Sequence, residues 1–74
     1  MSTNEQKMIA YIVACVGEFA RNSKLTVKEA FRYLYTYGGI DFLMEFYDTE
    51  HLLSLQDAVE DLKIIAQKSG GELV

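Results

Sequence analysis

Apolar positions in the first third of the chain recur every three or four residues. Met8, Ile9, Ile12, Val13, Val16 and Phe19 form one stripe, the signature of a helix face. The spacing predicts a helix from Asn4 to Asn22, with Ser2 or Thr3 as its cap and Glu5 or Gln6 closing a capping box. Tyr11 and Cys15 widen the stripe beyond a single face, as in a helix that is central or shared with a partner. Gly17 lies inside this helix, either simply tolerated or marking close approach by another helix.

Two later segments open alike. In "LTVKEAFRYL" Thr26 is the N-cap, Glu29 completes the box and Leu25 staples onto Ala30; in "LSLQDAVEDL" Ser54, Asp57, Leu53 and Ala58 do the same. The segments align at a spacing of 28 residues, Leu25, Ala30 and Leu34 matching Leu53, Ala58 and Leu62. Shared capping grammar accounts for the match more simply than an old duplication. "RYLYTYGG" alternates tyrosines like a strand, yet Ala30, Phe31, Leu34 and Tyr37 recur like a helix, and Gly38-Gly39 supplies a helix stop. "IDFLMEFY" adds a short third helix with Ile40, Leu43 and Met44 or Tyr47 inward. The last helix, residues 55–69, turns Leu55, Ala58, Val59, Leu62, Ile65 and Ala66 to one face and stops at Gly70-Gly71. The fold expected is all-α: one domain over residues 1–74, a small compact bundle of three long helices plus one short helix.

Composition sharpens this picture. The chain has 74 residues, 50% of them hydrophobic, and a domain this short buries only about 60% of its unfolded surface. One cysteine and one histidine provide neither an internal disulfide nor an ordinary four-ligand zinc site. Helix packing and association remain, and the expected state is a homodimer or a heteromer. The net charge of −4 disfavours nucleic acid. That charge is uneven: residues 21–32 carry Arg21, Lys24, Lys28 and Arg32 against Glu29, whereas residues 41–61 hold seven acids and no Lys or Arg. Such a dipolar chain suits a complementary partner or a head-to-tail self-contact. The apolar run "MIAYIVACV" is too short for a membrane span, which needs about 20 residues. The polar N-terminus lacks a secretory design, so the cytoplasm is the expected compartment.

The chemistry-bearing residues are few. Asp48, Glu50 and His51 crowd the stretch "FYDTEHLLS". Their spacing matches no metal-ligand grammar, and they fall at a helix boundary. Asp48 and His51 are therefore read as a structural corner, with no catalytic, metal or cofactor site. Cys15 reads as a buried small hydrophobe. A helix-turn-helix over residues 26–44 is the alternative reading. Its second helix would be "IDFLMEFYD", which carries three acids and no base-reading Arg, Asn or Gln. Five tyrosines and four phenylalanines exceed what one small core absorbs. Tyr33 and Tyr35 fall on opposite sides of their helix, so the surplus beside Lys28 and Arg32 reads as a contact surface.

Residues 25–71 carry "KEAFRYL", then "GGIDFL", "YDTEH" and the acidic "EDL". This succession resembles a family of short bacterial proteins classed as a domain of unknown function. Its genes often sit beside others encoding a domain taken to resemble ADP-ribosyltransferase toxins. The resemblance implies a partner-binding or antitoxin-like role and transfers no catalytic residues. The function expected is therefore a small non-enzymatic protein-binding domain, accessory to itself or to a neighbouring gene's product. Asp57, Glu60 and Asp61 are the expected charged contacts, with Tyr33 and Tyr35 as anchors; the alternative is a DNA-associated regulator.

Overall fold

Side-chain caps set where two of the helices begin. The computed structural model describes residues 3–71; Ser2, one of the two candidate first caps, lies outside them, and Thr3 is already helical. Five helices follow in order: α1 (Thr3–Ser23), α2 (Val27–Thr36), α3 (Gly39–Glu45), α4 (Tyr47–Glu50) and α5 (Leu55–Lys68). At Thr26 the capping box is complete: its hydroxyl accepts from Glu29 N at 3.1 Å, and Glu29 Oε1 accepts from Thr26 N at 2.9 Å. These bonds hold the Glu29 carboxyl below its ordinary range. Ser54 Oγ accepts from Asp57 N at 3.1 Å at the start of α5.

The helix ends use left-handed residues. At α5, Gly70 has φ +92°, Gly70 N donates to Gln67 O and Gly71 N to Ala66 O, the paired bonds of a Schellman motif. The end of α1 reproduces the longer bond, Leu25 N to Ala20 O at 2.9 Å, around Lys24 at φ +57°. Leu25 is thereby turned in against the core.

The expected single short helix after Gly38-Gly39 is instead two. Phe46 breaks it with φ −107° and ψ 23°, donating to Phe42 O while accepting from Glu50 N. The physical reason lies in what the bend brings together. It carries Tyr47 against Tyr11 of α1 in an edge-to-face contact at 5.6 Å and turns Glu50 into the interior.

α1 packs on α2 and α5, and α3 closes the bundle against α1, α2 and α5. The molecule measures 37 × 22 × 21 Å. Phe19, Leu34, Leu43, Leu62, Val59 and Cys15 fill the centre, all fully buried. The repeated positions of α2 and α5 are equivalent inside: Ala30 and Ala58, Leu34 and Leu62 are all at 0% exposure. Gly39 permits the closest approach, since a Cβ there would sit 2.8 Å from Leu34 Cδ2 and 3.3 Å from Leu62 Cδ2. Gly17 faces open space, which makes it a tolerated glycine and not a helix contact.

The apolar stripe of α1 divides in two. Tyr11 and Cys15 turn toward the core alongside Ile12, Val16 and Phe19, whereas Ile9 and Val13 remain exposed. In the other helices Leu55, read as inward from its spacing, is partly exposed, as is Phe31; of the alternatives Met44 and Tyr47, Met44 is exposed and Tyr47 is half-buried. A bundle this small has too little interior to cover every apolar stripe it carries.

Candidate protein-binding groove

The exposed edge of α1's stripe does not face solvent alone. Ile12, Val13 and Val16 on α1 meet Val27 and Phe31 on α2 to form an apolar groove of about 470 Å³, with Lys28 and Arg32 also lining it. Val16 is buried and forms the floor; Val13 and Val27 are about 60% exposed and form the walls. The groove exists because α1 carries a broader apolar face than the bundle covers, while the capped start of α2 places Val27 and Phe31 one turn apart beside it. Among the described residues no carboxylate forms an ion pair with Lys28 or Arg32. An apolar trough lined with unpaired cations fits apolar side chains that arrive with carboxylates.

The two candidate tyrosine anchors separate. Tyr35 is 67% exposed and stacks on Phe31 at 6.1 Å, extending the apolar surface at the groove. Tyr33 turns inward, stacked on Phe19 at 5.8 Å and tilted against Tyr37 at 5.0 Å. Its hydroxyl pKa is raised, first by burial and then by Tyr37. Gly71 closes over this pair: a Cβ there would meet Tyr33 Oη at 2.8 Å. Tyr33 thus serves the bundle's packing.

The acids of α5 separate in the same way. Asp57 and Glu60 are exposed, and Glu60 has only a 3.5 Å contact with Lys63. Lys63 makes its shorter bond, 2.7 Å, to Asn22 Oδ1, tying α5 to the end of α1. Asp61 is half-buried and lies beside Glu50. Glu50, which the sequence groups with Asp48 and His51 without giving it a role in the corner, is 7% exposed with Oε1 unpartnered. Burial first, then the neighbouring Asp61, push its carboxyl up to about 7. Tyr11 and Cys15 of α1 complete this cluster. Burial raises both their pKa values, and the enclosed Tyr11 hydroxyl lacks a well-formed partner although the Cys15 thiol lies beside it. The only clue in the sequence was the position of Glu50 three residues past Tyr47, on the inner side of the turn that Phe46 creates.

His51 lies at the corner with Asp48. Its Nδ1 donates to Tyr47 O at 2.6 Å and its ring stacks on Tyr47 at 4.6 Å, while Thr49 Oγ1 donates to Phe46 O. Asp48, Tyr47 and His51 border a smaller hollow with Asn4, Glu5, Lys7 and Met8. Among the described residues no three His, Cys, Asp or Glu side chains converge as metal ligands. In the segment that a helix-turn-helix would use for reading bases, α3 buries Gly39, Ile40 and Leu43 and leaves Asp41 and Glu45 exposed, a surface that repels phosphates. No helix among the described residues is long and apolar enough to cross a membrane.

The sequence model of a family described as "Protein of unknown function (DUF3791)" matches residues 10–68. The match takes in both walls of the groove and the whole of α5. No curated protein and no solved structure matches the chain.

Proposed function

The chain belongs to this DUF3791 family, and from its surface we propose a non-enzymatic protein-binding domain whose α1/α2 groove receives an amphipathic, acidic helix. The observation that carries this reading is the groove itself: Val13, Val27 and Phe31 open to solvent beside Lys28 and Arg32. Helix-in-groove recognition uses apolar anchors at i, i+3 and i+4, and the rim charges steer the encounter. The resemblance to short bacterial proteins encoded beside toxin-like genes extends the proposal to a cytoplasmic, antitoxin-like role, with the neighbouring gene's product supplying the helix.

A synthetic amphipathic peptide with apolar residues at helical spacing flanked by glutamates tests the groove directly. Titration into the isotope-labelled chain is expected to shift the amide signals of Val13, Val27 and Phe31, saturating at micromolar concentrations. Phe31→Glu is expected to remove the shifts, and added salt to weaken them. Shifts scattered over the whole surface, or equal binding by a lysine-flanked peptide, would overturn the reading.

A further inference from the structure

The chemistry that the groove selects is also present on this chain. The outward stripe of α5 carries Asp57, Glu60 and Ile64 at i, i+3 and i+7, one face of a helix. All three are exposed, Ile64 to 50%, and Leu53, four residues before Asp57, is 40% exposed. We propose that, in the isolated protein, this face of α5 from a second copy occupies the α1/α2 groove; this rests on the reading of the groove given above.

Three observations support a second copy as occupant. First, the charges correspond. Lys28 and Arg32 are spaced i, i+4, about 6 Å along α2, and Asp57 and Glu60 are spaced i, i+3, about 4.5 Å along α5. Two ion pairs therefore form whichever way the helices run. Second, neither set is closely engaged within the protomer. The groove cations have no acid partner among the described residues, and Glu60 makes only the long contact to Lys63. Third, the apolar groups correspond. Ile64 lies one turn beyond Glu60, so pairing Glu60 with Arg32 and Asp57 with Lys28 sets it beside Tyr35, at the end of the line of Val27, Phe31 and Tyr35.

The two surfaces are different, so the contact is heterologous. Each protomer offers a groove to one neighbour and α5 to another, and association continues to a ring or a chain. A foreign acidic helix competes for the same groove and breaks this assembly.

Sedimentation of the full chain tests this with two variants. The wild type is expected to gain mass with concentration from micromolar to millimolar, and to lose it on addition of salt. Phe31→Glu blocks the groove and Ile64→Glu blocks the α5 face. Both positions are about half-exposed, so the helical content of each variant is expected to match the wild type. Each variant alone is expected to associate roughly thirtyfold more weakly or worse. An equimolar mixture has one intact groove and one intact α5 face, and is expected to form a 1:1 heterodimer and stop there. A wild type that is monomeric at millimolar concentration, variants that associate like the wild type, or a mixture that does not pair would overturn the proposal. Retained binding of the acidic synthetic peptide in those cases leaves the groove reading standing; loss of both removes both.

Discussion

Glu50 on α4 and Asp61 on α5 lie close enough that the second acid, after burial, raises the carboxyl of the first, and neither forms an ion pair with a basic side chain among the described residues. Two neighbouring carboxyls in a desolvated place favour the state in which one holds a proton. Glu50, buried near Tyr11 and Cys15 of α1, is the group so favoured.

Stability is therefore expected to fall as pH rises through the titration of Glu50. The folded Glu50 carboxyl titrates near 7 against an ordinary value of 4.5, so between these values the folded chain binds more protons than the unfolded one. Stability is greatest below the window, declines through it and levels off above it, by about 3 kcal/mol in all. Glu50→Gln keeps a donor toward Asp61 and removes the charge. Thermal melts from pH 4 to 8 are expected to show a higher melting temperature at pH 8 for this variant and a flatter profile. A variant that melts earlier than the wild type at pH 8 contradicts the assignment.

Tyr33 and Tyr35 are expected to part company on truncation. Tyr33→Ala removes the ring packed between Phe19 and Tyr37 and should cost about 3 kcal/mol in urea denaturation, as for large-to-small core changes. Tyr35→Ala removes an exposed ring and should leave stability within about 0.5 kcal/mol of the wild type. Its effect belongs in binding: the dissociation rate of a groove-bound helix is expected to rise, measured by surface kinetics. The reverse assignment of the two effects would refute the geometry.

Gly17 in α1 and Lys24 just past its end offer stabilisation. A methyl at Gly17 meets nothing within 4 Å, so Gly17→Ala should add about 1 kcal/mol from helix propensity alone. Lys24 adopts φ +57°, and Lys24→Gly should relieve about 1 kcal/mol of left-handed strain. The two effects should add in chemical denaturation, because the substitutions act through independent backbone terms.

Gly71 is expected to reject any side chain. A Cβ there would lie 2.8 Å from Tyr33 Oη and 2.9 Å from the Tyr37 ring. Gly71→Ala should cost about 1–3 kcal/mol, the range of overpacking. Gly70→Ala should also destabilise, for a different reason: it places a Cβ at φ +92° with no neighbour to displace. Tyrosine fluorescence separates the two, since only the Gly71 variant disturbs the rings at Tyr33 and Tyr37.

His51 is expected to behave as a cap. His51→Gln breaks its stacking on Tyr47 and alters the bond to Tyr47 O, and should lower stability by about 1 kcal/mol, as for a lost hydrogen bond. Calorimetric titration with zinc should give no stoichiometric binding in either form. A zinc isotherm present in the wild type and lost in the variant would reverse this reading.

The sequence by itself determined the local decisions. Thr26 with Glu29, Ser54 with Asp57, and the paired glycines at 38–39 and 70–71 mark helix boundaries, because caps and left-handed stops involve only residues a few positions apart. The all-helical class and the inward turn of Ala30, Leu34, Ala58 and Leu62 follow from periodicity for the same reason. What the tertiary structure decided is which part of each wide stripe finds a neighbour. Tyr11 and Cys15 went inside and Val13 stayed out because α5 and α3 occupy one side of α1, a choice that a stripe broader than the core leaves open. The bend at Phe46 is another such decision, since contact with Tyr11 gives Tyr47 its position. Glu50 and Asp61 are eleven residues apart in a chain rich in acids. Only the folded chain brings them near one another, because desolvation depends on every element that surrounds a group.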